Sequence, residues 1–401
     1  MKTIVIAAGR STRMEPLADK NLLKFCGKPL LCHLLNNLKQ GGLTNFIIVV
    51  NKFNREKIIQ ILSEYKISAK IVVQPNLEDG MAGAVLAGLE LVSDDDEVMV
   101  HNAQDFVNSK IYHKILHKAL DCDGVILAKK VTSYFPGGYL QVDKNHKILS
   151  IVEKPGAGNE PSDLVNIVAH FFKNSRDLKA ALLSAKSAKD DVYEVALQKL
   201  FSARNFYAVE YEGLWQAVKY PHHVLDMAKF FLAERCGENY VAKSAKISPN
   251  AIWKGTGIYI DEGVRVFDHA CVSGPCFIGK NTIIGNNALV RESVIGENCE
   301  IGFCSEIARS FLADKVSVHH AYIGDSVIDK NVNFGAFSVT TNLRLDKNPI
   351  KIKIKNELIN TGKLKFGCIV GEGSQIGSGA KIMPGRILPK NTFLKPNEVF
   401  K

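Results

Sequence analysis

The stretch IDEGVRVFDHACVSGPCFIGKNTIIGNNALVRESVI, residues 260–295, repeats an aliphatic side chain every six positions up to its last few residues. After a slip of one residue the series resumes, and it returns near the C-terminal end of the chain. Its members are Ile260, Val266, Val272, Ile278, Ile284, Val290, Ile295, Ile301, Ile307, Val370, Ile376, Ile382 and Leu388. A period of six is typical of a hexapeptide β-helix, in which aliphatic side chains stack inward and glycine or asparagine makes the corners. The sequence therefore predicts a parallel β-helix.

Between about residues 310 and 368 the period of six is interrupted. We expect an extended loop or an irregular coil there. Interruptions of a regular scaffold are places where functional sites are often built.

The first 230 residues follow a different pattern, in which short β-branched runs alternate with amphipathic stretches. The runs read as strands are TIVIAA, NFIIVVN, AKIVVQ, DEVMVHNA and GVILAKK. The stretches read as helices are PLLCHLLNNLKQ, NREKIIQILSEY, MAGAVLAGLELV and SKIYHKILHKAL. This alternation predicts an α/β domain with a parallel sheet covered on both faces and ligands beyond the carboxyl ends of the strands. A linker helix at 222–236 leads to the boundary, which we place between domains 1–228 and 229–401.

Composition restricts the class of protein further. The 401 residues carry a formal charge of +10, and no apolar run approaches the roughly 18 to 20 residues that cross a bilayer. Nine cysteines without a C-x-x-C pair do not indicate a disulfide framework or a clustered zinc site. Basic and aromatic residues are not interleaved as in a nucleic-acid platform. We therefore expect a cytoplasmic protein that binds small phosphorylated molecules and neither nucleic acid nor membrane.

The segment AAGRSTRM, residues 7–14, follows the first predicted strand and begins a run of cations. Backbone N–H groups in such a turn can hold phosphate, and neighbouring Arg and Lys side chains neutralise its charge. Together with Lys20 and FCGKPLL (25–31), this segment resembles the signature of sugar-1-phosphate nucleotidylyltransferases. These enzymes join a nucleoside triphosphate to a sugar 1-phosphate and release pyrophosphate. The resemblance implies that Arg13 and Lys20 are catalytic, whereas Lys24 has no required counterpart and is expected at the surface.

Further segments resemble the same family in order and spacing. The nucleotide-binding positions implied by the resemblance are Ala8, Gly9, Arg10, Ser11, Thr12, Gln74 and Gly80. The implied sugar-binding positions are Gly138, Glu153, Lys154 and Asn166, and Asp105 stands at the carboxylate that binds Mg²⁺. Three positions depart from the pattern: Ser11 replaces a glycine, Met81 a threonine, and Ala217 the second metal ligand.

The segment VSVHHAYIGDSVIDKNVNFGAFSVTTNLRLD, residues 316–346, lies in the interruption of the β-helix period. It resembles the acetyltransferase segment of bifunctional amino-sugar-1-phosphate acetyltransferase/uridylyltransferases, whose β-helices are left-handed and trimeric. The resemblance implies a homotrimer, acetyl-CoA as co-substrate and His319 as the base that deprotonates the attacking amine. Tyr322, Asn333 and Asn342 fall at its substrate-contact positions. The basic run that follows is a candidate phosphate clamp, with Lys351 and Lys353 the chosen residues, and Phe337 replaces a family glycine.

We therefore expect an α/β nucleotidyltransferase domain followed by a left-handed β-helix, with two activities. The first is Mg²⁺-dependent transfer from UTP or dTTP to a sugar 1-phosphate, with N-acetylglucosamine 1-phosphate and UTP favoured. The second is acetylation of a hexosamine 1-phosphate. Two alternatives stay open: a glucose-1-phosphate uridylyl- or thymidylyltransferase with a purely structural β-helix, and a non-catalytic nucleotide-sugar-binding regulatory subunit.

Overall fold

The computed structural model describes residues 1–234 and 237–401. These residues form two compact units. The first unit comprises Met1–Arg10 and Leu31–Trp215, and the second comprises Ser11–Leu30 and Gln216–Lys401. The chain therefore leaves the first unit after ten residues and returns to it twenty residues later. The domain boundary after residue 228 stays a prediction, because grouping by contacts does not establish which part folds alone.

The first unit is built on one nine-stranded sheet. Its strands are β1 Lys2–Ile6, β2 Phe46–Val50, β3 Lys70–Val73, β4 Val98–Asn102, β5 Gly124–Lys130, β6 Gly138–Val142, β7 Ile148–Glu153, β8 Leu164–Phe172 and β9 Phe206–Glu210. The helices of the chain are α1 Leu30–Gln40, α2 Arg55–Glu64, α3 Gly80–Leu89, α4 Lys110–Lys118, α5 Ser175–Ser184, α6 Val192–Ala203 and α7 His223–Glu234. Short 3₁₀ turns lie at Thr12–Met14, Lys20–Leu22, Leu77–Asp79 and Ala119–Asp121, and a two-residue strand at Asp105–Phe106.

The strand order is β7-β6-β8-β4-β1-β2-β3, with β5 paired to β8 and β9 to β5. The four strands β3, β2, β1 and β4 are parallel, as the alternating pattern predicted. Strand β8, however, runs antiparallel to β4, β5 and β6, so the sheet is mixed rather than parallel. Val98, Met99 and Val100 of the central strand β4 are all fully buried, which requires cover on both faces of the sheet.

The second unit consists of three parallel sheets of eight short strands, as expected for the predicted β-helix. The first sheet contains Tyr240–Val241, Ile258–Ile260, Cys276–Ile278, Val294–Ile295, Phe311–Leu312, Val327–Ile328, Cys368–Val370 and Arg386–Leu388. The second contains Lys246–Ile247, Arg265–Val266, Ile283–Ile284, Glu300–Ile301, Ser317–Val318, Asn333–Phe334, Gln375–Ile376 and Phe393–Leu394. The third contains Ile252–Lys254, Cys271–Ser273, Leu289–Arg291, Glu306–Ala308, Tyr322–Gly324, Val339–Thr340, Lys381–Ile382 and Val399–Phe400. The unit also has short strands at Lys24–Phe25, Lys28–Pro29 and Gln216–Ala217, and a hairpin of Lys351–Ile354 and Glu357–Asn360.

The inward stack of the β-helix confirms the hexad pattern, because every aliphatic residue of the predicted series is buried. The predicted interruption at 310–368 is wrong over its first half. The coils continue through inward residues Leu312, Val318, Ile323, Ile328, Phe334 and Thr340, all buried. The steps between these residues are six, five, five, six and six positions, and this irregularity hid the period. Only the hairpin and its flanks, at about 341–367, leave the coil.

The linker helix α7 is confirmed from His223 to Glu234, and the last two residues of the prediction, Arg235 and Cys236, lie outside the described residues. The eight described cysteines are all free thiols. Within the described ranges no helix is long and apolar enough to cross a membrane.

Candidate active sites

The loop after β1 is fixed by two buried asparagines. Asn51 Nδ2 donates to the carbonyl of Ala8 at 2.9 Å, and Asn54 Nδ2 donates to the carbonyl of Ala7 at 2.9 Å. The two asparagines also bond each other, since Asn51 N donates to Asn54 Oδ1 and Asn54 N to Asn51 Oδ1. Sequence reasoning missed both residues. Their signal was the polar N-x-x-N that directly follows a fully apolar strand.

Gly9 lies at the exposed end of this loop. A Cβ placed on Gly9 would meet nothing within 4 Å, so the fold itself does not require glycine there. Ala8 beside it is buried, whereas Arg10 forms an exposed ion pair with Glu78, Nη2 to Oε1, at 2.9 Å. The loop thus presents backbone next to open space, which suits close approach of a ligand.

Gln74 lies at the end of β3 and its amide is buried. Gln74 Nε2 donates to the carbonyls of Asn76 and Gly80, each at 2.9 Å. The second bond joins Gln74 to Gly80, the first residue of α3, and both residues were predicted to bind the nucleotide. A Cβ on Gly83 would lie 3.0 Å from Gln74 Nε2 and 2.5 Å from Asp79 Cβ, so only glycine fits there.

Asp105 is buried just beyond β4. Its Oδ1 accepts from Trp215 Nε1 at 3.1 Å, and its Oδ2 accepts from Asn102 Nδ2 at 3.1 Å. Each carboxylate oxygen has a further lone pair, so these bonds orient Asp105 without using all of its acceptor capacity. Trp215 packs in turn against Phe135, with ring centroids 4.7 Å apart.

The fit of Mg²⁺ depends on this one carboxylate. Mg²⁺ takes oxygen ligands and commonly binds through one or two carboxylates, with waters and substrate phosphates completing its shell. Ala217 has no side-chain oxygen to add. Among the described residues no group of three or more His, Cys, Asp or Glu side chains could hold a metal. Asp105 therefore fits an ion whose other ligands come from substrate phosphates and water.

The four predicted sugar-binding residues are brought together at the β6–β7 edge. Gly138 pairs with Glu153 across these strands. A Cβ on Gly138 would lie 2.7 Å from Asn166 Nδ2 and 3.2 Å from Glu153 Oε2. Lys154 Nζ lies 3.0 Å from Glu153 Oε1. A side chain at position 138 would therefore displace the ends of the Asn166 amide and the Glu153 carboxylate.

A fifth residue of this cluster, Glu194 on α6, was not predicted. Burial and, to a smaller extent, the neighbouring charge of Glu153 raise the pKa of Glu194 to about 7. For Lys154, burial acts to lower the pKa, but the hydrogen bond and the charge of Glu153 outweigh it, so the pKa is raised overall. The cluster therefore combines a cation with two carboxyl groups, and the pKa of Glu194 is raised.

The remaining cationic residues belong to the second unit. Ser11 has a left-handed conformation with φ of 54°, and its hydroxyl donates to Asp19 Oδ1 at 3.2 Å. The turn Thr12–Met14 follows and carries Arg13, whose guanidinium carbon lies 5.8 Å from the centroid of the Tyr220 ring. Ser11 thus adopts a left-handed conformation that glycine reaches without strain, at the strain that a side chain adds there.

Lys20 is buried, in the turn that Asp19 caps through a hydrogen bond from the N–H of Asn21. Its ammonium donates to the carbonyl of Val218 at 3.3 Å. Lys24 is not the surface residue that we predicted. Its ammonium lies 3.1 Å from Asp314 Oδ2 and 3.4 Å from Glu297 Oε1, both in the β-helix.

In the β-helix the predicted acetyltransferase residues fall into three groups. His319 is exposed at a corner that follows Ser317–Val318, and Asn333 is exposed one coil further on. Tyr322 and Asn342 form one network, in which Asn342 Nδ2 donates to the hydroxyl of Tyr322 at 3.1 Å.

Asp325 extends this network. Asn342 also donates to Asp325, and Arg309 donates to both Asp325 oxygens at 2.7 Å each. The Asp325 carboxylate thus fixes Asn342 and, through it, Tyr322. Sequence analysis included this aspartate in the segment 316–346 but assigned it no role.

The candidate clamp lies on the hairpin. Lys351 and Lys353 are exposed, and the alternating residues Ile352 and Ile354 are buried, so both lysines lie on the solvent face. Phe337 is an exposed corner residue with φ of 62°, and its ring packs 4.7 Å from that of His320, centroid to centroid.

Models of two known protein families match consecutive parts of the chain. The family model described as Nucleotidyl transferase matches residues 2–234, and the model described as GMPPB C-terminal domain matches residues 235–331. The chain therefore belongs to the nucleotidyl transferase family, which is a family of enzymes.

Similar proteins align over almost the whole chain. The Bifunctional protein GlmU of Methanococcus maripaludis is 27% identical, with 99% of this chain and 94% of that protein covered. The protein of the same name from Methanocaldococcus jannaschii is 28% identical, with 98% and 93% covered. The Bifunctional sugar-1-phosphate nucleotidylyltransferase/acetyltransferase of Sulfurisphaera tokodaii is 27% identical, with 96% and 93% covered.

Proposed function

We propose that this protein transfers a nucleotidyl group to a sugar 1-phosphate and, in its β-helix, acetylates a hexosamine 1-phosphate. The proposed substrates are UTP with N-acetylglucosamine 1-phosphate, and acetyl-CoA with glucosamine 1-phosphate. Family membership and the two-activity name of the Sulfurisphaera relative support this reading. The observation that carries it is the loop at residues 7–10, where buried asparagines fix backbone beside open space at Gly9.

In the proposed nucleotidyl transfer, a phosphate oxygen of the sugar 1-phosphate attacks the α-phosphorus of the triphosphate. A new P–O bond forms as the bond to the β-phosphate oxygen breaks, and pyrophosphate leaves with that electron pair. Arg13 and Lys20 supply positive charge for the phosphates, and losing one such contact typically costs about 10² to 10³ in rate. Asp105 would hold Mg²⁺, which neutralises phosphate charge when bound.

The sugar is proposed to bind at the Gly138, Glu153, Lys154 and Asn166 cluster. The absent side chain at Gly138 leaves the Asn166 amide and the Glu153 carboxylate close together, where they can bond hydroxyl groups of one small ring. Such convergent polar groups are typical of small-molecule sites.

In the proposed acetyl transfer, the sugar amine attacks the thioester carbonyl carbon of acetyl-CoA. His319 takes the proton of the amine, the C–N bond forms, and the C–S bond breaks as the thiolate leaves. The fixed pair Tyr322 and Asn342 supports a role in holding the sugar, and an exposed imidazole at His319 supports access of the substrate.

A substrate panel tests both activities together. Hexose and hexosamine 1-phosphates are combined with the four nucleoside triphosphates and Mg²⁺, and pyrophosphate release is measured. The same sugars are combined with acetyl-CoA, and thiol release is measured. We expect the highest kcat/KM with UTP and N-acetylglucosamine 1-phosphate in the first assay, and with glucosamine 1-phosphate in the second.

His319→Ala is expected to lower thiol release by about 10² to 10⁴ and to leave pyrophosphate release unchanged. His320→Ala is its matched control, because the His320 ring packs against Phe303 and Phe337. Thiol release that survives His319→Ala contradicts the assigned base. Pyrophosphate release without any thiol release favours a structural β-helix, and neither release favours the non-catalytic alternative.

A further inference from the structure

The segment Ser11–Leu30, which carries Arg13 and Lys20, belongs to the same compact unit as the β-helix, whereas the preceding ten residues belong to the other unit. It is a substantial piece of structure, with two 3₁₀ turns and a short hairpin of Lys24–Phe25 and Lys28–Pro29. The segment is thus held by residues that lie 198 or more positions further along the chain, such as Val218, Phe231 and Asp314.

An apolar contact anchors this hairpin. Phe25 is fully buried, and its ring centroid lies 5.2 Å from that of Phe311 in the β-helix and 5.6 Å from that of Phe231 on α7. At the turn, a Cβ on Gly27 would lie 3.1 Å from Phe277 Cζ, so the hairpin lies directly against a second β-helix coil.

An ionic contact fixes the orientation of the hairpin. The Lys24 ammonium lies between Asp314 Oδ2 at 3.1 Å and Glu297 Oε1 at 3.4 Å, and all three side chains are about one-third exposed or less. Asp314 is itself fixed, because its Oδ1 accepts from the N–H of Glu297 at 2.9 Å. Lys24 therefore meets a preformed pair of carboxylates on adjacent coils.

Three residues separate Lys20 from Lys24, and the capped turn Lys20–Leu22 begins this connection. A shift of the hairpin on the coils would move this turn and the Lys20 ammonium with it. Reaction rates are sensitive to such shifts, since a misplacement of about 1 Å can cost about 10²-fold.

We infer that the β-helix positions the phosphate-binding cations for nucleotidyl transfer, with Lys24 and Phe25 as positioning residues. This inference rests on the proposed function. It gives the β-helix a role in the reaction of the other half of the chain, in addition to its own proposed acetyl transfer. Neither Lys24 nor Phe25 needs to touch a substrate in this role.

The test uses the full chain and the variant Lys24→Glu, which places three carboxylates together. We expect kcat for pyrophosphate release to fall about tenfold or more, with thiol release and the unfolding temperature unchanged. The swap Lys24→Glu with Glu297→Lys is expected to recover most of the rate, as is Lys24→Arg. Lys39→Glu on α1, an exposed lysine with the same charge change, is the matched control.

Unchanged kcat in Lys24→Glu overturns the inference. So does an equal loss of both activities together with a lower unfolding temperature, which indicates a purely structural contact. If the wild-type protein releases no pyrophosphate with any substrate pair, the proposed function fails separately. In that case hydrogen exchange of residues 11–30 tests whether Lys24 holds this segment on the β-helix. Faster exchange in Lys24→Glu that returns to the wild-type rate in the charge swap supports the inference. Unchanged exchange in Lys24→Glu overturns it.

Discussion

Gly9 is a glycine that the packing of the fold does not require and that we propose for ligand binding. Its missing side chain leaves open space, whereas the missing side chain of Gly88 on α3 accommodates Ile4, whose Cγ2 would lie 2.7 Å from an added Cβ. Substitution by alanine should therefore affect ligand binding at Gly9 and stability at Gly88.

We predict that Gly9→Ala retains the unfolding temperature of the wild-type protein and raises the apparent Kd for nucleoside triphosphate about tenfold or more, because the methyl group occupies space where the ligand approaches backbone. Thermal unfolding and calorimetric titration check this. Gly88→Ala should instead lower the unfolding temperature, since the methyl group meets a packed core. Tight nucleotide binding by Gly9→Ala would exclude the loop as the phosphate site.

Glu194 should make stability depend on pH. Its pKa is raised from 4.5 to about 7 by burial and by Glu153, so the folded state holds a proton that the unfolded chain has lost between these values. The free energy of unfolding contributed by this group therefore falls as pH rises from about 4.5 to about 7 and is constant above that. Glu194→Gln removes this decrease in the free energy of unfolding. The variant should therefore be more stable than wild type at pH 8 by about 2 to 3 kcal/mol.

The measurement is denaturant unfolding of wild type and Glu194→Gln at pH 5 and pH 8. Glu64→Gln, an exposed glutamate on α2, controls for loss of one negative charge. An equal effect of Glu194→Gln at both pH values would contradict the buried, protonated state.

Several residue-level features lay beyond sequence reasoning for identifiable reasons. The resemblance singled out Gly138, Glu153 and Asn166, and the structure brings these side chains together, although their role stays a prediction. The N-x-x-N of Asn51 did not reveal its role, because the residue bonds backbone of a loop 42 or more positions earlier in the chain. Lys24 was expected at the surface because the family has no required lysine there, and its two carboxylate partners lie 273 and 290 positions away.

Among the elements, the hairpin of Lys351–Ile354 and Glu357–Asn360 has two different faces. Along its first strand, exposed lysines alternate with buried isoleucines. Ile352 and Ile354 anchor it, whereas Lys351 and Lys353 point away from the buried face. Side chains on the exposed face can be changed without disturbing the anchor.

We predict that Lys351→Gln with Lys353→Gln raises KM for acetyl-CoA or glucosamine 1-phosphate about tenfold, because two phosphate-pairing cations are lost, and leaves the unfolding temperature unchanged. Initial-rate kinetics of thiol release at two salt concentrations check this. Lys347→Gln, which also removes an exposed lysine before the hairpin, is the control. An unchanged KM with both lysines replaced would exclude the hairpin as the phosphate clamp.

Element prediction succeeded where the period was regular. The parallel strands β1 to β4 have regular patterns, the coils up to Ile307 have a period that slips only once by one residue, and the structure confirms both. The coils that follow were missed because corners shortened by one residue, as at His319–Ala321, shift the period while inward stacking continues. Strand direction in β8 was missed because alternation of strands and helices ends before it.

Three buried histidines and the partly buried His223 dominate the acid behaviour expected of the whole molecule. Burial lowers the pKa of His101 and His223 to about 4 and the pKa of His170 and His222 to about 3. In the unfolded chain these groups bind protons near pH 6.5. The stability that they contribute is therefore complete above pH 6.5 and is lost as pH falls toward 3 to 4.

We predict that the free energy of unfolding falls steadily below pH 6.5 and that both units unfold before pH 3. Three carboxyl groups, Glu194, Glu234 and Asp329, oppose this effect, because burial raises the pKa of each. Denaturant unfolding from pH 7.5 to pH 4, followed by circular dichroism, checks this, with His117→Gln on the exposed face of α4 as a control that leaves the profile unchanged. Equal or greater stability at pH 4.5 than at pH 7.5 would contradict the prediction.

The docking of Ser11–Leu30 on the β-helix has a consequence for the order in which the chain is made. Lys24 leaves the ribosome 290 residues before Asp314, its partner. At about 5 to 20 residues per second, the segment waits roughly 15 to 60 s for the surface that will hold it. During synthesis the first sheet can assemble around β1, but the cations that follow β1 reach their final positions only when most of the β-helix has emerged.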